Sequence, residues 1–237
     1  MDYRLLSAYR SLFDGVQYRH RSSNRGDWVA MHLYEDLHAI GRSSTLKARV
    51  EARSRVVNRQ NKARGIESRR GDGAFGELNL DAAISADPAF AVARGEIATI
   101  EIGIEVKVLA KAMIKQLDRV IGDMRKQVEE FKKGGNNPIC VGLIGVNYAP
   151  QYTSYEGDRA WPTDGKAHRH PIQEAEQAEE RLLRGVRDVF DGGVLSLRFR
   201  ASNEPPYPFA WQDEAGLRKD YGALLIRLSN LYTQRFP

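Results

Sequence analysis

Glu105 and Lys107 lie two residues apart in the stretch EIATIEIGIEVKVLAK, residues 96–111. From residue 100 to 108 every second residue is isoleucine or valine, and the acids Glu101 and Glu105 and the base Lys107 alternate with them. This period of two predicts a β-strand, because successive side chains of a strand point to opposite faces. A strand with one wholly β-branched face is expected near the centre of a sheet, where an unpaired charge is costly. Charged side chains kept at such a position indicate a functional site, for example one that holds a metal ion.

Carboxylates and a lysine in this arrangement suit the hydrolysis of a phosphodiester. That reaction needs an activated water and neutralisation of the charge that develops on the phosphate, and carboxylate-bound Mg²⁺ supplies both. Asp81, at the end of the preceding predicted strand, and Glu105 are the candidate ligands of the ion. Lys107 is the candidate cation at the attacking water or at the scissile phosphate. Glu101 lies about 13 Å from Glu105 at the rise of a strand, so we interpret it as a structural or second-site carboxylate.

These residues carry a family resemblance. Asp81-Ala-Ala-Ile, followed 24 positions later by Glu105-Val106-Lys107 on an apolar strand and then by a helix and another apolar strand, resembles the PD-(D/E)xK nuclease superfamily. Type II restriction endonucleases are its best-known members. The resemblance implies an α-β-β-β-α-β core over about residues 43–148, Mg²⁺-dependent cleavage of double-stranded DNA, and catalytic roles for Asp81, Glu105 and Lys107.

The first acidic ligand stays open at this point. Asp81 follows Leu80, where the family pattern has a proline. Asp72 and Glu77 therefore compete with Asp81 for that role.

The positive charge of the chain is concentrated in one segment. The formal net charge is +5, and residues 42–70 contain ten Lys or Arg against two acids. Such a segment is typical of contact with phosphates, although a solvated, charged helix has the same composition. The candidate DNA-binding residues are Arg49, Arg53, Arg59, Lys62, Arg64, Arg69, Arg70 and, beyond the strand, Lys111 and Lys115.

Periodicity and breakers predict the elements that must position these residues. The fold class we expect is α/β, with a mixed central sheet flanked by helices in a single domain, residues 1–237. The family resemblance implies that the core of this domain is restriction-endonuclease-like. N-terminal helices occupy residues 1–42, and residues 149–237 elaborate the core. The predicted helices are two within residues 3–40, separated by a loop at 19–27, and one each over 43–65, 111–133, 172–190 and 212–235. The predicted strands are 78–81, 96–111, 137–148 and 194–200, the first two pairing as a hairpin.

Composition limits the kinds of site and the cellular compartment that we expect. The one cysteine, Cys140, lies in an apolar run, so neither a disulfide framework nor a cysteine-based zinc site is possible. No run approaches the roughly 18 apolar residues of a membrane helix, and the N-terminal residues do not resemble a secretory signal. We therefore expect a cytoplasmic protein without a membrane partner. Cleavage of both strands of a duplex with one site per chain is most simply done by a two-fold homodimer.

Three other functions fit the same residues. A repair or recombination nuclease would act on structured or single-stranded DNA. A non-catalytic DNA-binding module would use the polar stripe structurally, as cross-strand ion pairs do. A small-molecule α/β enzyme would make the basic segment incidental.

Overall fold

A mixed β-sheet lies at the centre of the computed structural model, which describes residues 2–18, 24–58, 72–156, 158–166 and 170–237. The helices in this part of the chain are α1 (Arg4–Arg10), α2 (Asn24–Ile40), α3 (Ser44–Glu51), α4 (Leu117–Lys132), α5 (Ala175–Val186) and α6 (Glu214–Arg235). The strands are β1 (Arg55–Asn58), β2 (Gly73–Glu77), β3 (Arg94–Gly95), β4 (Ile102–Leu109), β5 (Ile139–Asn147), β6 (Thr153–Glu156), β7 (Arg159–Pro162), β8 (Gly193–Ala201) and β9 (Phe209–Trp211).

The order of the strands confirms the mixed α/β class. Seven of the described strands form one sheet in the order β3-β1-β2-β4-β5-β8-β9, and β6 and β7 form a separate hairpin. Strands β4, β5 and β8 are parallel neighbours, connected through α4 and α5, whereas β2 pairs antiparallel with both β1 and β4. From α3 to β5 the order is helix, three strands, helix, strand, apart from the two-residue β3. This is the element order that the family resemblance implies.

Each face of the sheet has its own apolar core. Ile102, Ile104 and Val106 of β4 belong to a cluster that includes residues of α1, α2 and α6. The opposite face packs on α4 and α5. Gly103 permits this close packing, since a Cβ there would come within 2.5 Å of the ring of Phe131 in α4. Every residue of β5 is buried, as expected of a parallel strand covered on both faces.

The predicted basic helix is shorter than its composition indicates. It ends at Glu51 and gives way to β1, so the helix predicted over 43–65 is wrong over residues 52–58. Arg53 has φ +54° in the intervening turn, and Val56 and Val57 are fully buried in the sheet. Burial of two β-branched side chains outweighs the weak helical stripe. Residues 59–65 lie outside the described residues.

The first strand of the predicted hairpin lies earlier in the chain. It is β2, Gly73–Glu77, rather than 78–81, and Leu80 is 97% exposed. Antiparallel pairing with β4 is confirmed. The glycines in β2 admit close neighbours instead of contributing apolar side chains, and a Cβ on Gly73 would approach Ala30 of α2 to 2.5 Å. The alternation at Leu78 and Leu80 was therefore a misleading strand signal.

The remaining predicted elements agree with the structure in type and position, while β3, β6, β7 and β9 were not predicted. Cys140 is buried as expected, and burial raises the pKa of its thiol to about 12. None of the described helices is both long and apolar enough to cross a membrane.

Candidate functional site

Asp72, Glu105 and Lys107 lie together at one end of the β2–β4 pair. Gly73, the first residue of β2, is the register partner of Ile104. Asp72 precedes Gly73 and Glu105 follows Ile104, so in an antiparallel pair these two residues lie opposite each other. Lys107 Nζ is 2.5 Å from Glu105 Oε1. Two carboxylates and an ammonium group therefore meet at this point of the sheet.

Strand β4 continues beyond its partner at this end. Strand β2 begins at Gly73, so it does not pair with residues 105–109, which are bonded to β5 on their other side. The Asp72 carboxylate takes the place of a strand partner, since its Oδ2 accepts a hydrogen bond of 2.8 Å from the Val106 amide. This bond fixes the Asp72 side chain beside the Glu105–Lys107 pair.

The first turn of α2 also contacts Asp72. A Cβ on Gly26 would lie 2.1 Å from Asp72 Oδ1, so a glycine at this position lets the helix approach the carboxylate. The N-terminal end of a helix carries a partial positive charge, which favours a nearby anion. Helix α2 therefore both positions the Asp72 carboxylate and stabilises its negative charge.

Electrostatics keep Lys107 protonated. Burial lowers the pKa of its ammonium group, but the carboxylates of Glu105, Asp72 and Asp123 together raise the pKa above its usual value. The side chain is 30% exposed, whereas that of Glu105 is 6% exposed. Lys107 is therefore a cation with one side in solvent, placed over a buried carboxylate.

The structure does not bring the other two candidate acids to Glu105. Strand β2 runs away from the site, and five residues at the rise of a strand place Glu77 about 16 Å from Asp72. Glu77 is exposed, 3.7 Å from Arg55. Asp81 lies in an exposed turn still further along, not at the end of the strand. Of the three acids left open by the sequence, Asp72 is the one that lies beside Glu105.

Glu101 does not share a face with Glu105, contrary to the simple alternation. Ile102 is the register partner of Phe75, yet the Glu101 amide also donates to the Phe75 carbonyl, so two residues oppose one. This is a β-bulge, which changes the direction of side chains. The Glu101 carboxylate accepts hydrogen bonds from Arg55 Nε and from the hydroxyl of Tyr232 in α6. It has a structural role in the core on the α6 side.

The candidate DNA-binding residues occupy different settings. The guanidinium of Arg49 donates to the main-chain oxygens of Phe236 and Pro237, which ties α3 to the end of α6. Arg53 and Lys115 are exposed. Lys111 Nζ lies 5.4 Å from the centre of the Trp161 ring. Contact of these four residues with DNA stays a prediction.

The other five candidate DNA-binding residues lie outside the described part of the chain: Arg59, Lys62, Arg64, Arg69 and Arg70.

Two residues near the site were missed by sequence reasoning. Arg25, in the first turn of α2, has its guanidinium carbon 4.3 Å from the centre of the Tyr18 ring. Asp72 contributes to the electrostatic field at the Tyr18 hydroxyl. Both residues fall in a stretch rich in arginine, serine and asparagine, where neither periodicity nor spacing distinguishes one side chain from another.

The donor set fits an ion that keeps part of its water shell. In the described ranges no group of three or more His, Cys, Asp or Glu side chains could hold a metal ion. Mg²⁺ is commonly bound by one or two carboxylates, with water and substrate phosphate completing its octahedron. Asp72 and Glu105 match that smaller requirement, and with Lys107 their formal charges sum to one negative charge.

Comparisons of the whole chain with protein-family models, with curated proteins and with solved structures gave no match.

Proposed function

We propose that this chain is a Mg²⁺-dependent endonuclease that hydrolyses phosphodiester bonds of double-stranded DNA in a sequence-specific manner, as type II restriction endonucleases do. The observation that supports the proposal is the meeting of Asp72 with the Glu105–Lys107 pair where β4 extends beyond β2. The order of elements from α3 to β5 supports it as well.

Each of the three side chains has a role in the proposed reaction. Asp72 and Glu105 would hold Mg²⁺, which when bound lowers the pKa of a water ligand and neutralises charge on the phosphate. Lys107, kept protonated by the surrounding carboxylates, stabilises negative charge on the scissile phosphate or orients the attacking water. Helix α2 and the Val106 amide hold the Asp72 carboxylate in place, so the site is organised before DNA binds.

The substrate and the assembly follow from the same proposal. A basic chain with a concentrated positive segment attracts the DNA backbone, and each neutralised phosphate releases counterions. Cutting both strands with one site per chain requires a second copy or a second binding event. We propose a two-fold homodimer, which gel filtration of the chain bound to a short duplex would test.

The first experiment is plasmid cleavage with Mg²⁺ and with EDTA. We expect discrete fragments from the wild type and a loss of about a thousandfold or more in Asp72→Asn, Glu105→Ala and Lys107→Ala, because each removes charge stabilisation in the transition state. Asp81→Asn is the matched control, since it removes a carboxylate of the same type outside the site, and its cleavage should equal that of the wild type.

The outcomes separate the competing functions. A smear, or cutting only of single-stranded or branched DNA, would indicate a repair or recombination nuclease. Cleavage that is lost in Asp81→Asn and kept in Asp72→Asn would overturn the proposed ligand set.

A non-catalytic DNA-binding module is the second candidate. The Glu105 carboxylate is already paired with Lys107 at 2.5 Å, as in a structural ion pair. This candidate predicts DNA affinity that falls steeply with salt, is unchanged by Mg²⁺ and is accompanied by no cutting of varied, unmethylated DNA.

A further inference from the structure

Arg25 has an unsatisfied nitrogen beside the candidate site. Its Nη1 atom is buried and has no hydrogen-bond partner within the described residues. A guanidinium is always charged and presents five N–H donors in a rigid fork. Leaving such a donor buried without an acceptor costs free energy, so an orphaned guanidinium nitrogen calls for an explanation.

The guanidinium is held in place by an aromatic ring. Its carbon lies 4.3 Å from the centre of the Tyr18 ring, within the range of a cation–π contact. Burial raises the pKa of the Tyr18 hydroxyl, while the charge of Arg25 and a hydrogen bond from it lower that pKa. Ring and hydroxyl both restrict Arg25, so less entropy is lost when its fork binds an anion.

Arg25 also lies next to the proposed catalytic carboxylate. It precedes Gly26, whose Cα approaches Asp72 so closely that a Cβ would come within 2.1 Å of Oδ1. Asp72 also raises the pKa of Tyr18 by its negative charge, which places the Tyr18–Arg25 pair within electrostatic reach of the site. An anion bound to Arg25 would therefore be adjacent to the position of the scissile phosphate.

We propose that Arg25, supported by Tyr18, binds a phosphate of the DNA backbone next to the one that is cut. This inference rests on the proposed nuclease function and adds a binding residue outside the Asp72, Glu105 and Lys107 set. Phosphate oxygens are the acceptors that the planar fork of arginine matches with two parallel hydrogen bonds. Because Nη1 is buried in the free protein, the guanidinium must turn outward to reach the phosphate; the contact then satisfies this nitrogen and offsets the repulsion between the Asp72 carboxylate and the incoming backbone.

The test is DNA binding without cleavage. A fluorescently labelled duplex of random sequence is titrated in Ca²⁺ with the wild type, Arg25→Ala, Arg25→Lys and Arg184→Ala. Arg184 is the matched control because it is an exposed helical arginine whose ion pair within the described residues is with Glu180, one turn away. We expect Kd to rise about tenfold in Arg25→Ala and about threefold in Arg25→Lys, which keeps the charge but loses the fork, and to change less than about twofold in Arg184→Ala. The slope of log K against log salt should fall by about 0.9 in Arg25→Ala, the value for one lost phosphate contact.

The results distinguish this inference from the proposed function. Wild-type affinity and salt slope in a folded Arg25→Ala, judged by its melting temperature, would overturn the phosphate contact whether or not the wild type cleaves DNA. Loss of affinity equal to that of Arg184→Ala would overturn it too, because it would reflect net charge alone. Failure of the wild type to cleave any DNA concerns only the proposed function, since the titration in Ca²⁺ measures binding separately. In Tyr18→Leu, a lower DNA affinity together with the same salt slope as the wild type would support the positioning role of the ring.

Discussion

Glu101 and Glu105 lie four residues apart and are almost equally buried, at 4% and 5% exposure, but their surroundings differ. The Glu101 carboxylate accepts two hydrogen bonds from neighbouring elements of the fold. Arg55 Nε, in β1, is 2.6 Å from one carboxylate oxygen, and the Tyr232 hydroxyl, in α6, is 2.5 Å from the other. Glu105 is paired with Lys107 of its own strand, which is partly in solvent, and lies beside a second carboxylate.

This difference separates a structural carboxylate from a candidate catalytic one. The charge of Glu101 is balanced by one arginine and its oxygens are bonded by two fixed donors, so adding a cation there would be unfavourable. At the other end Asp72 and Glu105 carry two negative charges against the one positive charge of Lys107. Burial alone does not distinguish the two acids. They differ in which element supplies the partner side chain and in how exposed that side chain is.

The largest expected effect is on stability at the Glu101 end. Glu101→Ala leaves the Arg55 guanidinium, which is 16% exposed, with only the longer ion pair of 3.7 Å to the exposed Glu77 among the described residues, so we expect the free energy of unfolding to fall by about 3 kcal/mol. Glu105→Ala should cost about 1 kcal/mol or less, because Lys107 can turn to water. Urea unfolding of both variants checks this, and equal losses would contradict the distinction between the two ends.

The second prediction concerns the Tyr232 hydroxyl, which donates a hydrogen bond to the structural carboxylate of Glu101. Tyr232→Phe removes a donor to a buried charge and should lower the free energy of unfolding by about 2 kcal/mol at pH 7. Burial, together with the Glu101 carboxylate, raises the pKa of Tyr232 above its ordinary value of 10.0. Above about pH 10 the unfolded chain therefore loses this proton while the folded chain keeps it, so stability falls as pH rises.

The measurement for Tyr232 is a pair of urea titrations at pH 7 and pH 10.5. The decline between them should be smaller in Tyr232→Phe than in the wild type, though not absent, because the pKa values of other buried tyrosines are raised too. A steeper decline in the variant would show that the phenol proton is not coupled to this network.

The smallest expected effect concerns cation binding at the Glu105 end. Lys107→Met keeps the length of the side chain but removes the ammonium that competes for Glu105, so we expect Mn²⁺ to bind about tenfold more tightly while cleavage is lost. Isothermal titration with Mn²⁺ measures this, and Asp81→Asn should leave the affinity unchanged. Weaker binding in Lys107→Met than in the wild type would mean that Lys107 supports the ion instead of competing with it.

Much of the fold follows from local pattern. The alternation around Glu105, the apolar run that becomes β5 and the periodicity of α6 are each visible within a single segment. The failures share a cause. Two of the five residues of β2 are glycines, and Gly73 admits Ala30 of α2, which no property of the segment alone reveals. The end of α3 likewise depends on the burial of Val56 and Val57 in a sheet formed by distant residues.

The sequence by itself determined that Glu105 and Lys107 share a strand face, because a period of two is a property of the backbone. Only the tertiary structure decided that Asp72, rather than Asp81, lies opposite them and that Glu101 turns to the other face. Antiparallel register and a bulge set these relations. Both depend on how β2 and β4 pack with α2 and α6, and therefore on contacts between residues far apart in the chain.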